Sequence, residues 1–266
     1  MNTLSSGGLI VVTCSLVAAS SVIVAWWLID HGLLVKNQEF LNATYPIIGL
    51  VYGTFLAFTI VITWGKFNEA ETSVTSEVTH VSELWRNAEA FPEAVCKEIH
   101  ASLFVYAKEV VESGWASMAE SGHPSPKANE KYQEIGIPYY GFEPVSETEK
   151  TFYSESIGQL NELGRDRRYR ILFAGAEVQP VVRFFLISGG ILIVAFSLLL
   201  ACPSLKIQIA VTTLIASLTS FSIFLVLSLQ EPFAGDVNVK PTAFTTIVES
   251  FDKRLADKLT CRIQRK

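Results

Sequence analysis

Charge is scarce in this 266-residue chain, and four long stretches lack it altogether. Residues 1–29, 40–65, 184–205 and 207–230 contain no Lys, Arg, Asp or Glu. A transmembrane helix needs about 20 mostly apolar residues, and a soluble domain rarely offers even one such window. Four windows exclude a soluble protein and predict a polytopic membrane protein. Other absences narrow the function. The four cysteines, Cys14, Cys96, Cys202 and Cys261, lie far apart and form no C-x-x-C pair, so neither a disulfide framework nor a metal site is expected. His31, His100 and His123 have no ligand-like companions nearby in sequence. No nucleotide fingerprint, G-x-S-x-G elbow or Gly-rich phosphate loop occurs. An enzyme is therefore not expected, and no catalytic residue or cofactor is assigned. No strand pattern of useful length is present, which makes the fold class all-α. No strongly basic surface points to nucleic acid.

What remains is segregated. Half of the residues are hydrophobic (50%), the mean hydropathy is +0.35 and 18% are charged. Between residues 66 and 183 there are 12 basic against 19 acidic residues, as in an ordinary water-facing domain. Residues 231–266 carry 7 basic against 5 acidic. The chain is therefore divided into transmembrane helices at 7–29, 44–65, 181–202 and 207–230, a helical cytoplasmic domain at 66–180, and a cytoplasmic tail at 231–266. The first apolar stretch is read as an uncleaved helix. No Lys or Arg precedes it, and Trp26-Trp27 stands where a small-residue cleavage site would be needed. Such an aromatic pair suits a membrane interface.

Basic residues near span ends set orientation. The first and third connections hold only Lys36 and Lys206. The second holds Lys66, Arg165, Arg167, Arg168, Arg170 and Arg183, and the tail holds Lys240, Lys253, Arg254, Lys258, Arg262, Arg265 and Lys266. Both termini are then cytoplasmic, in a multi-pass protein of the cell membrane (the inner membrane in a Gram-negative bacterium).

Beyond the second span, Phe67, Ala70, Val74, Val78, Val81, Trp85 and Ala88 recur in steps close to a heptad seam. One unbroken helix is expected from 46 to 91, about 69 Å long at 1.5 Å per residue. Pro92 opens a helix burying Val95, Ile99, Leu103, Tyr106 and Val110. The Gly- and Pro-rich stretch 121–144 reads as a loop with a short helical piece around 128–134. Ser146 and Glu149 have capping-box spacing, ahead of a helix burying Phe152, Ile157, Leu160 and Leu163. Pro241 opens a last amphipathic helix with Phe244, Val248, Phe251, Leu255 and Leu259 on one face.

Candidate chemistry is thin. Glu77-x-x-His80 has di-iron spacing, but its required second pair is absent, so a solvated helix surface is the expectation. Arg165, Arg167, Arg168 and Arg170, with Arg183, form the sharpest cationic cluster. They suit lipid headgroups or the cytoplasmic mouth of a pore. The spans hold no central acid or base, which argues against proton-coupled transport. A channel can do without them. Gly49, Tyr52, Thr59, Thr63 and Lys66 lie near one face of span two, and Phe55, Thr59 and Ile62 near another. Either face could line a pore in an assembly. Gly49-x-x-x-Gly53 and Thr212, Ala216 and Ser220 equally suit helix packing.

Together these features resemble the bestrophin-like family. Tyr52-Gly53, Ala57-Phe58 and Trp64 in span two, with Phe67 and Ala70 beyond it, carry part of the resemblance. The Arg-rich run before a proline-started third span adds to it. So does Glu231-Pro232-Phe233-Ala234-Gly235-Asp236 with Pro241 and Phe244. The similarity covers roughly residues 45–244. It implies a pentamer whose second span lines an ion pore, with Tyr52, Phe55 and Thr59 near a neck. Animal bestrophins favour anions and a bacterial relative favours cations. The acidic calcium clasp of the animal proteins is absent, since only Glu231 and Asp236 stand there.

The leading expectation is a homo-oligomeric ion channel in a lipid bilayer. The alternative is a non-conducting membrane scaffold whose cytoplasmic helices bind a partner. Residues 69–162 hold 6 basic against 17 acidic, which would concentrate cations, while the Arg cluster pulls the other way.

Overall fold

The computed structural model describes residues 3–175, 179–257 and 261, and every regular element among them is a helix. The chain begins with α1 (Thr3–Leu28), α2 (His31–Lys36) and α3 (Gln38–Ala88). Next come α4 (Glu93–Glu109), a π turn (Val110–Gly114), α5 (Trp115–Ser121), α6 (Pro126–Glu134), α7 (Ile137–Tyr140) and α8 (Glu147–Ala174). The remainder forms α9 (Pro180–Ser197), α10 (Leu205–Leu229) and α11 (Thr242–Ala256).

Four helices, α1, α3, α9 and α10, are long and apolar enough to cross a membrane. The shortest, α9, has 18 residues. At 1.5 Å per residue that is about 27 Å, close to the roughly 30 Å hydrocarbon core. Two compact units result. A span unit takes residues 1–65, 177–230 and 235–237, and a second unit takes 66–176, 231–234 and 238–266.

Within the span unit, several polar side chains bond between helices or back to their own backbone, as suits a lipid environment. Ser15 and Ser217 join α1 to α10 at 2.7 Å. Ser197 donates to Thr212 at 3.3 Å, and the Gln208 amide donates to the carbonyls of Leu198 and Leu200 at 3.3 and 3.2 Å. Gly49 and Gly53 have no neighbour within 4 Å of an added Cβ, so their small faces make no packing contact within the protomer.

α3 is one helix of 51 residues. It starts ahead of Pro46 rather than at it, and it stops at Ala88, short of Phe91. Phe91 precedes Pro92, and a residue in that position is crowded out of the helical region. The core of the second unit is built on the expected seam. Ala70, Val74, Val81, Trp85 and Ala88 pack with Ile99, Leu103 and Tyr106 of α4, Leu163 of α8, and Phe244 and Phe251 of α11. Phe152 and Leu255 are more exposed than the amphipathic pattern predicts. Leu259, Lys258, Arg262, Arg265 and Lys266 lie outside the described residues.

The 121–144 stretch is more ordered than its composition suggested. It contains α6 and α7, whose Pro126 and Pro138 stand in the first turn, where a missing N–H costs nothing. The Ser125 hydroxyl caps α6 by accepting from the Ala128 N–H at 3.4 Å. The expected capping box is formed: Glu149 N–H donates to Ser146, and the Glu149 carboxylate accepts from the Ser146 and Val145 N–H groups. Those bonds hold the Glu149 carboxyl below its ordinary range. Gly122 closes α5 with φ +68°, and a Cβ there would meet the Ala174 carbonyl oxygen at 3.1 Å. Gly122→Ala should therefore lower the stability of the second unit by about 1–2 kcal/mol, measured by thermal or denaturant unfolding. An unchanged midpoint would show that the turn relaxes freely.

Candidate functional site

From about Tyr52 to Ala88, α3 presents two opposite stripes. Tyr52, Thr59, Thr63, Ala70, Val74, Glu77, Val81, Leu84 and Ala88 are buried and fall on one side of a 3.6-residue helix. In the span unit that stripe is seated on α9. The Tyr52 hydroxyl donates to the Leu186 carbonyl at 2.9 Å, and its ring fills the notch left by Gly189 and Gly190. A Cβ at Gly189 would come 2.5 Å from that ring. Phe55 meets Phe185 edge-on at 4.5 Å, and Tyr45 stacks on Phe196 at 5.6 Å. The Thr59 and Thr63 hydroxyls return to their own helix, donating to the carbonyls of Phe55 and Thr59 at 2.8 Å.

The opposite stripe is bare within the protomer. Leu50 is 70% exposed, Phe58 64%, Val61 68% and Ile62 60%, against 7% for Tyr52. Thr54 and Ala57 on this side are exposed as well; Lys66 is exposed and Gly49 intermediate, but both lie nearer the Tyr52 side of the helix. Beyond residue 66 the same side continues through Asn68, Thr72, Thr75 and Thr79, all exposed. The candidate residues of span two are thus divided. Tyr52, Phe55, Thr59 and Thr63 fasten α3 to its own protomer or its own backbone. Ile62 and Lys66 are exposed, Ile62 to the side of the helix and Lys66 on the Tyr52 side.

The arginine cluster is divided too. Arg170 is buried, and its guanidinium grips Glu77 with two bonds, Nε to Oε2 at 2.6 Å and Nη2 to Oε1 at 3.0 Å. Tyr106 donates to the same carboxylate. Met118 lies 3.2 Å from Arg170 Nη1, and the rings of Trp115 and Phe244 lie 5.7 and 5.8 Å from its centre. Burial alone would lower the Arg170 pKa, but the Glu77 charge and hydrogen bonds hold it above its ordinary value. Burial, aided by Glu77, pushes the Tyr106 phenol well up. Arg167 is also buried, bonded to Asn129 at 2.9 Å and stacked 4.5 Å over Tyr132. Neither arginine is free for headgroups or ions. Arg165 pairs with Glu162 and with Asp166 at 3.2 Å. Arg168 is exposed, and Arg183 reaches Gln230 at 3.4 Å.

Three further expectations are corrected. Glu77 is not a solvated surface residue but the fully buried partner of Arg170. His80, part-buried, meets Gln159 at 2.6 Å and Asp166 at 3.2 Å rather than a metal-binding partner of Glu77. Cys96 and Cys261 form a disulfide across a sequence separation of 165 residues. His100, expected to stand alone, adjoins both sulfurs.

A family model for the Bestrophin-like domain matches residues 12–244. The chain belongs to the bestrophin-like family. Solved structures agree on the fold. Two point variants of a bacterial bestrophin homologue from Klebsiella pneumoniae superpose with TM-scores of 0.69 and 0.67, each at 15% identity. They cover 95% and 91% of this chain and 98% of theirs. A crystal structure described only as a membrane protein gives 0.67 at 15% identity, covering 95% of this chain and 98% of its own. No curated protein matches.

In this bestrophin-like chain the sequence held one missed signal for the buried pair. Glu77 occupies a slot of the apolar seam, four residues after Ser73 and four before Val81, both buried. A carboxylate in such a slot demands a cation opposite it. Breaking one half of a buried pair is strongly destabilising, whereas replacing both halves with apolar residues is much less so. Glu77→Ala should cost about 3–5 kcal/mol in denaturant unfolding. Glu77→Leu combined with Arg170→Met should recover most of that loss. A double variant as weak as the single would show that shape, not charge, is what the pair supplies.

Proposed function

We propose that this chain is the protomer of a homo-oligomeric ion channel of the cell membrane, with the bare stripe of α3 lining the pore. The observation that carries the reading is the division of α3 into a seated face and an uncovered one. An isolated protomer gives the uncovered face no protein neighbour, and it changes character along its length. Leu50, Ala57, Phe58 and Val61 would form an apolar constriction, and apolar constrictions gate by dewetting. Asn68, Thr72, Thr75 and Thr79 would form a wider polar stretch, wettable and uncharged. Of the pore candidates named from the sequence, Ile62 lies to the side of this stripe, about 100° from Val61, while Gly49 and Lys66 lie nearer the Tyr52 side of the helix. Tyr52, Phe55, Thr59 and Thr63 would support the helix from behind.

The second unit is cytoplasmic in this reading, as are both termini. Its free charge favours cations. With Arg170 paired with Glu77 and Arg165 with Glu162, 15 acidic residues remain against 6 basic ones between 69 and 162, and Arg167 is buried against Asn129 and Tyr132. A cleft lined by one sign of charge raises the local concentration of the opposite ion. A pentamer is the assembly that the family resemblance implies.

The test is cysteine accessibility combined with flux. In a background with Cys14 and Cys202 replaced by Ser, single cysteines go in at Thr54, Val61 and Thr72, with Tyr52 and Thr63 as controls. Reconstituted in liposomes, the first three should react with a charged, water-soluble thiol reagent and lose K⁺ flux. The Tyr52 and Thr63 positions should stay unreactive. Reaction confined to the controls would reverse the two faces of α3. No flux and no reaction at any position would favour the non-conducting scaffold.

A further inference from the structure

The second unit contains a buried group of donors that the channel reading does not use. Cys96, His100 and Cys261 are all buried, and their ligand atoms lie within 4.8 Å of one another. Cys96 and His100 stand four residues apart on α4, hence on one face of the helix. Cys261 comes from the segment after α11. The imidazole is fixed before any ligand arrives. Its Nε2–H donates to the Trp85 carbonyl at 2.8 Å, because a carbonyl can only accept. Its ring stacks on Trp85 at 3.7 Å, and Trp85 stacks in turn on Phe251 at 3.7 Å. The proton on Nε2 leaves the Nδ1 lone pair free, 3.5 Å from Cys261 Sγ and 3.9 Å from Cys96 Sγ, which is also 3.9 Å from Nε2.

Those two distances suit a metal. With metal–sulfur bonds of about 2.3 Å and metal–nitrogen bonds of about 2.0–2.1 Å, a tetrahedral ion keeps sulfur and nitrogen ligands roughly 3.5 Å apart. Both sulfur–Nδ1 pairs are near that spacing already. Only the sulfurs must part, to about 3.8 Å, once the bond between them is broken. We propose that the reduced form of this cluster is a binding site for a thiophilic d10 ion, Zn²⁺ or Cu⁺, and that the disulfide is its oxidised, metal-free form.

The chemistry balances. A dithiol reductant delivers two electrons and two protons, breaks the Cys96–Cys261 bond and becomes a disulfide itself. The two thiols then lose their protons to solvent as the ion binds their thiolates. In reverse, a low-molecular-weight disulfide accepts the two electrons by thiol exchange, leaves as two thiols, and the ion is released. Soft thiolate ligands select Zn²⁺ and Cu⁺ over hard cations. In either form the segment carrying Cys261 stays fastened to α4. The ion adds a bond to His100 that the disulfide does not make.

The full chain is purified in detergent with Cys14 and Cys202 replaced by Ser, so that only the site cysteines count. After phosphine reduction and removal of metal, it is titrated with Zn²⁺, and separately with Cu⁺, against a chromophoric chelator. One ion per chain is expected in the reduced protein and none in the oxidised protein. The tighter of the two ions identifies the occupant. Cys261→Ser and His100→Ala should each weaken binding by more than about 100-fold, since loss of an outer-shell partner alone costs 10- to 100-fold. Reduced protein that takes up neither ion overturns the proposal, as does Cys261→Ser binding as tightly as the parent. Because His100→Ala also removes a stacked core ring, Co²⁺ provides a second readout. A thiolate-to-cobalt absorption band in the reduced parent, lost in Cys96→Ser of unchanged thermal midpoint, supports the site. The same band persisting in Cys96→Ser refutes it.

Discussion

The second unit is organised around two opposite charges with no water to share. Glu77 and Arg170 come from α3 and α8, and Tyr106 of α4 completes the carboxylate's bonds. An ionised carboxylate in an apolar core is tolerated only when paired and hydrogen-bonded. The pair therefore fixes which turn of α8 meets which turn of α3, because a slip by one residue would strand both charges. Net stability is not its main product, since an apolar replacement of similar volume can do as well. Register is. The surrounding rings of Trp115 and Phe244 are placed by the same guanidinium, at cation–π distances.

α3 is a single helix with one buried stripe. The stripe that holds Glu77 is the stripe that holds Thr63, Thr59 and Tyr52, and Tyr52 is locked between Gly189 and Gly190. Glycines matter there because a tyrosine ring occupies the space a Cβ would need. A helix seated at so many points along one side is not free to rotate about its axis. A pore-lining helix needs that property, since a rotation of 100° would exchange each lining residue for its neighbour.

Hydropathy made the fold class legible. Four uncharged windows identified the spans, and the steps from Phe67 to Ala88 identified the seam of the second unit. The family resemblance, resting on short motifs in the second span and after the fourth, held as well. What the sequence hid was pairing at long range. Counting arginines near a span treats each as free, yet Arg167 and Arg170 are spent on Asn129 and on Glu77, 38 and 93 residues away. No local pattern reports such distances, although a Glu on an apolar seam was a clue. Prolines misled in the opposite direction. Pro126 and Pro138 read as breakers, but in a first turn proline starts a helix. Cys96 and Cys261 gave no spacing signal because their proximity is a product of the fold.

Removing internal pairs also changes the electrostatics of the molecule. Formal charge counted along the chain sets strong acid against a basic cluster and leaves the sign of the field open. A buried ion pair, however, presents to a distant ion only the small dipole of two charges about 3 Å apart. Its field fades faster than that of either charge alone. Once Glu77 and Arg170 are subtracted together, and Arg165 is set against Glu162 and Asp166, the exposed remainder of the second unit is acidic. Of its arginines at 165–170, Arg168 is exposed while Arg167 and Arg170 are buried. If the protein conducts, its ion preference would follow the charges that the fold leaves unpaired, and Arg167 and Arg170, which look suited to attracting anions, are used as core.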